Sequence, residues 1–538
     1  MRKVSLCALL LALVGLCGGA AALEAKGTVF DDQNGNGKLD AGEPGVPKVA
    51  VSNGVDVVLT DTGGRYTLPV SDDTILFVIK PSGWATPVAQ ERQLPRFYYI
   101  HKPEGSPALQ YKAVAPTGPL PEQVNFPLTK QEEPDRFRVV CFGDTQARNQ
   151  DEVDYLAHDV MEEVIPLQAA FGITLGDIAF DGLKVFDPIT RAIAAAGIPW
   201  YHVIGNHDTN YDALEQRHTD ETYESVFGPA YFAFNYGKVH FIALYDMRWD
   251  IGERKYHAHL SDAQLAFVKN DLAHVPKDRL VVLLMHIPLK DVDNRAKLFE
   301  TLGQYPHTFS LSAHWHRQAH FFLGSEHGWP RAEPHHHFVH GTACGSWWAG
   351  NYNPLGVPEA TMEDGTPNGY SVITFDGASY RFEYKAARRP AGYQMNVYTP
   401  DPVPAEAVAD TEIIVNVFAG SDRSTVEMRL APDGDWKPLE QFTGLAPFFD
   451  KAKDREEALF EAIYRAYDFE EVTDRTERMV RERFRPAWGR TLPKGDDTPH
   501  LWRGNLPAGL QPGTHVLEVR TTDMFGQTYT AHRIVRVE

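Results

Sequence analysis

Cysteine is scarce. The 538 residues hold four, at Cys7, Cys17, Cys141 and Cys344, and the first two fall in an N-terminal apolar segment. A disulfide-stapled scaffold is therefore excluded, and at most one bridge, Cys141 to Cys344, is left to an oxidising compartment. Cys141 stands in an apolar run and reads better as a small core hydrophobe. Positive charge is also short: 52 Lys and Arg face 72 Asp and Glu, for a net −20. That balance excludes broad contact with nucleic-acid backbone or anionic membrane. It leaves room for a phosphorylated small molecule, because bound metal supplies positive charge locally. Past the first 22 residues no apolar run approaches the roughly 20 residues that cross a bilayer, so no transmembrane segment is expected.

What is present starts with a leader. Arg2 and Lys3 precede an apolar run from Val4 to Cys17 and a small-residue stretch ending at Ala22. This is the pattern of a signal peptide over residues 1–22, and it predicts export to a periplasm or the medium. The remaining length exceeds one core, so several domains are expected.

Residues 23–130 show short alternating strands with close turn signals and predict a small β-sandwich. Within them Asp32, Asn34, Asn36, Asp40 and Glu43 surround Gly37 at the spacing of a calcium loop. The flanks, with Gly42, Pro44 and Gly45, cannot continue helices. Two readings stay open: a structural calcium loop between strands, or a polar turn with no metal.

From residue 137 the period changes, and strands alternate with helical patterns at 153–169, 186–195 and 262–273, which implies βαβ units. Five apolar runs, 138–142, 171–175, 200–204, 280–284 and 308–312, read as buried strands. Each is followed by polar donors: Asp144 and Gln146, Asp177, Asn206, His286, and His314 with His316. Donors at successive strand ends meet at one sheet edge, where open α/β folds place their sites. A pair of dications needs a bridging carboxylate, here Asp177. Asp144, Gln146 and His316 would complete one metal position, and Asn206, His286 and His314 the other. A bridging hydroxide would attack phosphorus, with the metals about 3.5–4 Å apart. His207 is left to stabilise the transition state or protonate the leaving oxygen, oriented by Asp181 or Asp208.

The motifs Asp144-Thr-Gln146, Gly176-Asp177, Gly205-Asn206-His207, His286 and Ala313-His314-Trp-His316 stand in the order of the calcineurin-like metallophosphoesterases, which this stretch resembles. Gln146 replaces that family's first His, and Ala313 a Gly. A Gln oxygen suits a hard ion, favouring Mn, Mg or Fe slightly over Zn at that position. The flanks resemble bacterial three-domain members, through Gly345-Ser-Trp-Trp348 and Gly365-Thr-Pro-Asn-Gly-Tyr370. The resemblance implies a four-layer αββα sandwich over 131–360, between the N-terminal β-sandwich and a mostly-β domain over 361–538 with a helical insertion near 455–484. It also implies two divalent ions and hydrolysis of a phosphomonoester or phosphodiester. Two rivals are a nucleotide or sugar pyrophosphatase on the same site, and a catalytically dead envelope-binding protein. The intact donor set argues against the second.

Beyond His316 the sequence reads as aromatic loop. His340 and Trp347 are the expected substrate contacts there. His335, His336 and His337 read as loop, lining the cleft or not. His202, His240 and His274 lack motif context and are expected to be structural.

Overall fold

The computed structural model describes residues 23–469 and 472–538. The candidate leader lies outside them. Among the described residues no helix is long and apolar enough to cross a membrane.

The centre of the molecule is a pair of sheets packed face to face. One runs in the order Trp200–Val203, Phe171–Leu175, Arg136–Phe142, Gly369–Asp376, Ser379–Ala386. The other runs Phe232–Tyr236, Val239–Ala243, Leu280–Leu284, His307–Ser312, His335–Val339, Ala319–Leu323. Val139, Cys141 and Ile173 from the first meet Phe241, Val281 and Phe309 from the second in one buried cluster. Leu280–Leu284 is buried throughout, as a parallel strand covered on both faces must be. Outside the first sheet, helices Gln150–Leu156 and Phe186–Ile193 pack Val153, Leu156 and Ile189 onto Val140 and Phe142. Outside the second, Asp262–Leu272 and Arg295–Leu302 bury Phe267, Leu298 and Phe299. The result is the four-layer αββα sandwich. Cap chemistry marks the helix starts: Asn149 accepts from the Glu152 amide and Ser261 from the Gln264 amide.

Two four-stranded sheets form the N-terminal sandwich, and two antiparallel ones the C-terminal domain. The C-terminal core, around Val415, Trp502 and Val519, is its own. The N-terminal core is continuous with the catalytic one: Phe77 meets Phe267 edge-on at 5.5 Å and Phe97 meets Phe232 at 5.0 Å.

Three sequence expectations change. Gly369–Asp376 and Ser379–Ala386, read as part of the region after residue 360, pair instead with Arg136–Phe142 and complete the catalytic sheet. An antiparallel hairpin carries no local sign of which sheet it joins. His335–Val339 is an interior strand, not a loop. Its histidines are buried, and Ser and Thr hydroxyls on the neighbouring strand satisfy them: Thr308 and Ser310 bind His335, and Ser310 and Ser312 bind His337. The C-terminal helical stretch is two helices, Pro447–Ala466 and Asp474–Trp488. Cys141 and Cys344 are both buried and unbridged.

Candidate metal centre

Because Arg136–Phe142, Phe171–Leu175 and Trp200–Val203 run parallel, and Leu280–Leu284 runs parallel to His307–Ser312, the residues after each strand emerge at one edge. Asp177, His286 and His314 each offer a donor atom within 4.8 Å of the others. His286 Nδ1 donates to the Leu175 carbonyl at 2.9 Å, which leaves Nε2 as the lone-pair nitrogen. That nitrogen faces Asn206 Oδ1 at 3.0 Å and Asp177 Oδ1 at 3.3 Å. On the other side His316 Nδ1 donates to the Gly345 carbonyl at 2.5 Å, and its Nε2 faces Asp144 Oδ2 at 3.1 Å. Asp144 Oδ2 is buried with no hydrogen-bond partner. Acceptors thus face acceptors at both positions, and a cation between them resolves the conflict. The residues present fit divalent metal.

The two groups are joined. Gln146 Nε2 donates to Asp177 Oδ2 at 3.0 Å, and the His314 amide donates to Asp144 Oδ1 at 3.2 Å. Gln146 therefore turns its nitrogen to the carboxylate, and its amide must rotate to offer the oxygen. Burial pushes His314 down to about 4.

The glycines of the motifs are dictated by contact. A Cβ on Gly205 would sit 2.0 Å from the Asp177 amide nitrogen, and one on Gly176 would sit 2.5 Å from His286 Nδ1. Four of the candidate donors, Gln146, Asp177, His314 and His316, hold φ between +38° and +69°. Strain of this kind gathers where function fixes the backbone.

His207 turns away from the donors, with Nδ1 2.6 Å from Asp181 Oδ1 and its ring stacked on Phe180 at 4.5 Å. Burial lowers its basicity, yet the Asp177 charge and the Asp181 bond raise it above the ordinary histidine value. Between the two orienters left open by sequence, geometry selects Asp181. Asp208 instead accepts from the Ile178, Ala179 and Gly205 amides and locks the two motif loops together.

Trp347 stands at the site, its ring 4.1 Å from that of His316. His340 does not wall the cleft. It is fully buried, donates from Nδ1 to the Gly341 carbonyl, and packs against Phe338 and Tyr384. Burial is the reason: the strand before it is interior, so the residue after it stays inside. His240 is structural, bound to Asp271 at 2.7 Å, and His202 is buried beside Phe227.

Sequence reasoning missed an aromatic wall. Tyr256 hydroxyl lies 3.4 Å from His314 Nε2, and Trp249 and Tyr211 continue the wall from Tyr256 to Asp181. Trp249 and Tyr256 follow no donor motif, so no local signal marks them, and Tyr211 lies four residues past His207 with nothing in its spacing to set it apart. In the N-terminal loop, Asp32 accepts from the Gly35, Asn36 and Gly37 amides, and Asp40 from the Asn34 and Asn36 side chains. Glu43 accepts from the Gln33 and Asp40 amides. These bonds draw the oxygen-bearing side chains of the loop together around the Gly35 to Gly37 bend.

A family model of the calcineurin-like phosphoesterase matches residues 137–318. Models of the N-terminal and C-terminal regions of calcineurin-like phosphoesterase match 33–113 and 337–462 with 465–529. No curated protein matches the chain. Among solved structures, a purple acid phosphatase isolated from yellow lupin (Lupinus luteus) seeds is similar at 14% identity, over 63% of this chain and 67% of that one, with a TM-score of 0.35. The chain belongs to the calcineurin-like phosphoesterase family, with that family's N-terminal and C-terminal regions on either side, and is a metal-dependent phosphoesterase.

Proposed function

We propose that the protein is an exported phosphoesterase that hydrolyses phosphomonoesters or phosphodiesters at a dinuclear centre. Asp144, Gln146 and His316 would hold one divalent ion, Asn206, His286 and His314 the other, and Asp177 both. When bound, the ions neutralise phosphate charge and supply an activated water. Mn, Fe, Zn or Mg would serve, with a hard ion favoured beside Gln146. The carrying observation is the pair of facing acceptors, His286 Nε2 with Asp177 Oδ1 and His316 Nε2 with Asp144 Oδ2.

The chain's own residues supply the rest. Asp181 fixes the proton on His207 Nδ1 and leaves Nε2 for the ester. His207, kept basic by its two carboxylate neighbours, gives a proton to the leaving oxygen. Trp347 and Tyr256 flank the opening and orient what enters.

The test is turnover of p-nitrophenyl phosphate, bis-p-nitrophenyl phosphate and nucleotides with each metal, beside the metal content of two variants. Asp177→Asn is expected to lose metal and activity together. His207→Ala should keep its metal and lose turnover by about 10²–10⁴-fold. Equal metal loss in both would contradict the roles.

A further inference from the structure

Beside the metal centre lies a pocket of about 360 Å³ that no catalytic role has yet absorbed. The catalytic domain contributes Arg148, Ser346 and Trp347 to it, and the C-terminal helical insertion contributes Arg481, Arg485 and Arg490. Side-chain contacts tie it to the site on two sides. Trp347 lines the pocket, and its ring packs at a tilt against that of His316. Arg148 donates to the Trp347 carbonyl at 3.2 Å and lies 3.8 Å from the centre of the Phe180 ring, which itself stacks on His207.

The charge of this pocket is out of balance. Arg481 is committed to structure, pairing with Glu477 at 2.8 Å and covering Phe460. Arg148 and Arg490 share one carboxylate, Glu152, at 3.3 and 3.5 Å. Arg485 is exposed on the helix and has no carboxylate within ion-pair distance among the described residues. Burial and then the nearby Arg148 charge depress the basicity of Arg490, and Arg485 adds to that. Glu482 is the remaining acid on the lining. In a chain of net −20, a crowd of like positive charges beside the reacting centre is not explained by packing. Guanidinium groups are the side chains best shaped to receive a phosphate through paired N–H bonds.

We propose that this pocket receives a second phosphate group of the substrate, so that the ester cleaved at the Asp177 centre belongs to a molecule carrying two phosphates. Arg148, Arg485 and Arg490 bind the phosphate that does not react, and Trp347 walls the path between the two positions. The inference rests on the phosphoesterase reading of the adjoining centre and narrows it. It also gives the C-terminal insertion a task, namely selection among phosphate esters.

Two measurements on the full chain test it separately from that reading. The first is calorimetric binding of inorganic pyrophosphate in EDTA, where the metal centre contributes nothing. Wild type should bind, and Arg485→Ala should weaken binding about tenfold, with an unchanged melting temperature to certify the fold. The second compares hydrolysis of adenosine 3′,5′-bisphosphate with that of AMP in manganese. The bisphosphate should be favoured in kcat/KM by about tenfold, and Arg485→Ala should bring the ratio toward one. Absence of pyrophosphate binding, or a binding constant and substrate ratio both indifferent to Arg485→Ala, overturns the proposal. Binding that depends on Arg485 with no ester cleaved under any metal would remove the hydrolytic reading and keep the anion pocket. Cleavage of both nucleotides at equal efficiency, with no pyrophosphate bound, would do the reverse.

Discussion

At the residue scale the centre is specified by what has no side chain as much as by its donors. Gly205 lets one motif loop lie against the Asp177 backbone, and the clash of an added methyl is with main chain, which cannot swing aside. Gly205→Ala is expected to lower stability by about 1–3 kcal/mol and to reduce bound metal, read by urea unfolding and by metal analysis of the same sample. Unchanged metal content would mean that the loop has a second way to close. That the candidate donors meet at one sheet edge was legible in the sequence, because each follows an apolar run and keeps its motif spacing. Asp181 was legible only as one of two options, since Asp181 and Asp208 look alike until the loops are folded. Tyr256 and Trp249 were not legible, because their contact with the centre depends on a hairpin folding over the sheet edge.

At the element scale the most unusual piece is His335–Val339. Three consecutive histidines defeat the rule that interior strands read as apolar runs, which is why the sequence alone suggested loop. A fainter signal was present: Thr308, Ser310 and Ser312 alternate on the neighbouring strand at the spacing needed to meet His335 and His337. On the opposite face His336 bonds the Tyr380 hydroxyl at 2.7 Å and His320 at 3.0 Å. Burial depresses all of these rings, His335 and His320 to about 3 and His336 and His337 well below the ordinary value. The unfolded chain takes up those protons near pH 6.5, whereas the folded chain refuses them until about pH 3. Over that interval the unfolded state holds more protons, so stability is complete above about pH 6.5 and is lost as the pH falls. His335→Gln removes one titrating ring. Urea unfolding between pH 6 and 4 should then show a slope smaller by about 1.4 kcal/mol per pH unit. An unaltered slope would place the acid sensitivity elsewhere.

At the scale of the whole molecule, the N-terminal sandwich and the catalytic domain share one core, while the C-terminal sandwich has a core of its own and is tied to the catalytic sheet through Phe525 against Tyr380 and Phe382 and through Phe418 beside Tyr384 and Ala386. A shared aromatic core joins the first two, and Lys102 of the sandwich is buried against Glu221 of the catalytic domain, with Asp73 at 2.8 Å. Lys102→Met leaves Glu221 buried without its cation and should cost about 3–5 kcal/mol, part of which the added Glu221→Gln should restore. Scanning calorimetry should show the cost as a lowered melting temperature, recovered in part by the double variant. The change of period near residue 137 was legible as the start of the catalytic sheet. The seam was not, because the hairpin Gly369–Asp376 and Ser379–Ala386 reads like any β pattern while belonging to the sheet that starts at Arg136.

That late hairpin bears on how the chain is made. Strand Arg136–Phe142 leaves the ribosome long before the segment that will lie along its other side. Until Gly369–Asp376 emerges, a row of backbone N–H and C=O groups in the middle of the catalytic sheet has no neighbour and is open to the matching row of another nascent copy. A chain ended at residue 360 would keep every candidate metal donor and still carry that exposed seam for its whole life. The safe place to divide this protein lies beyond residue 386.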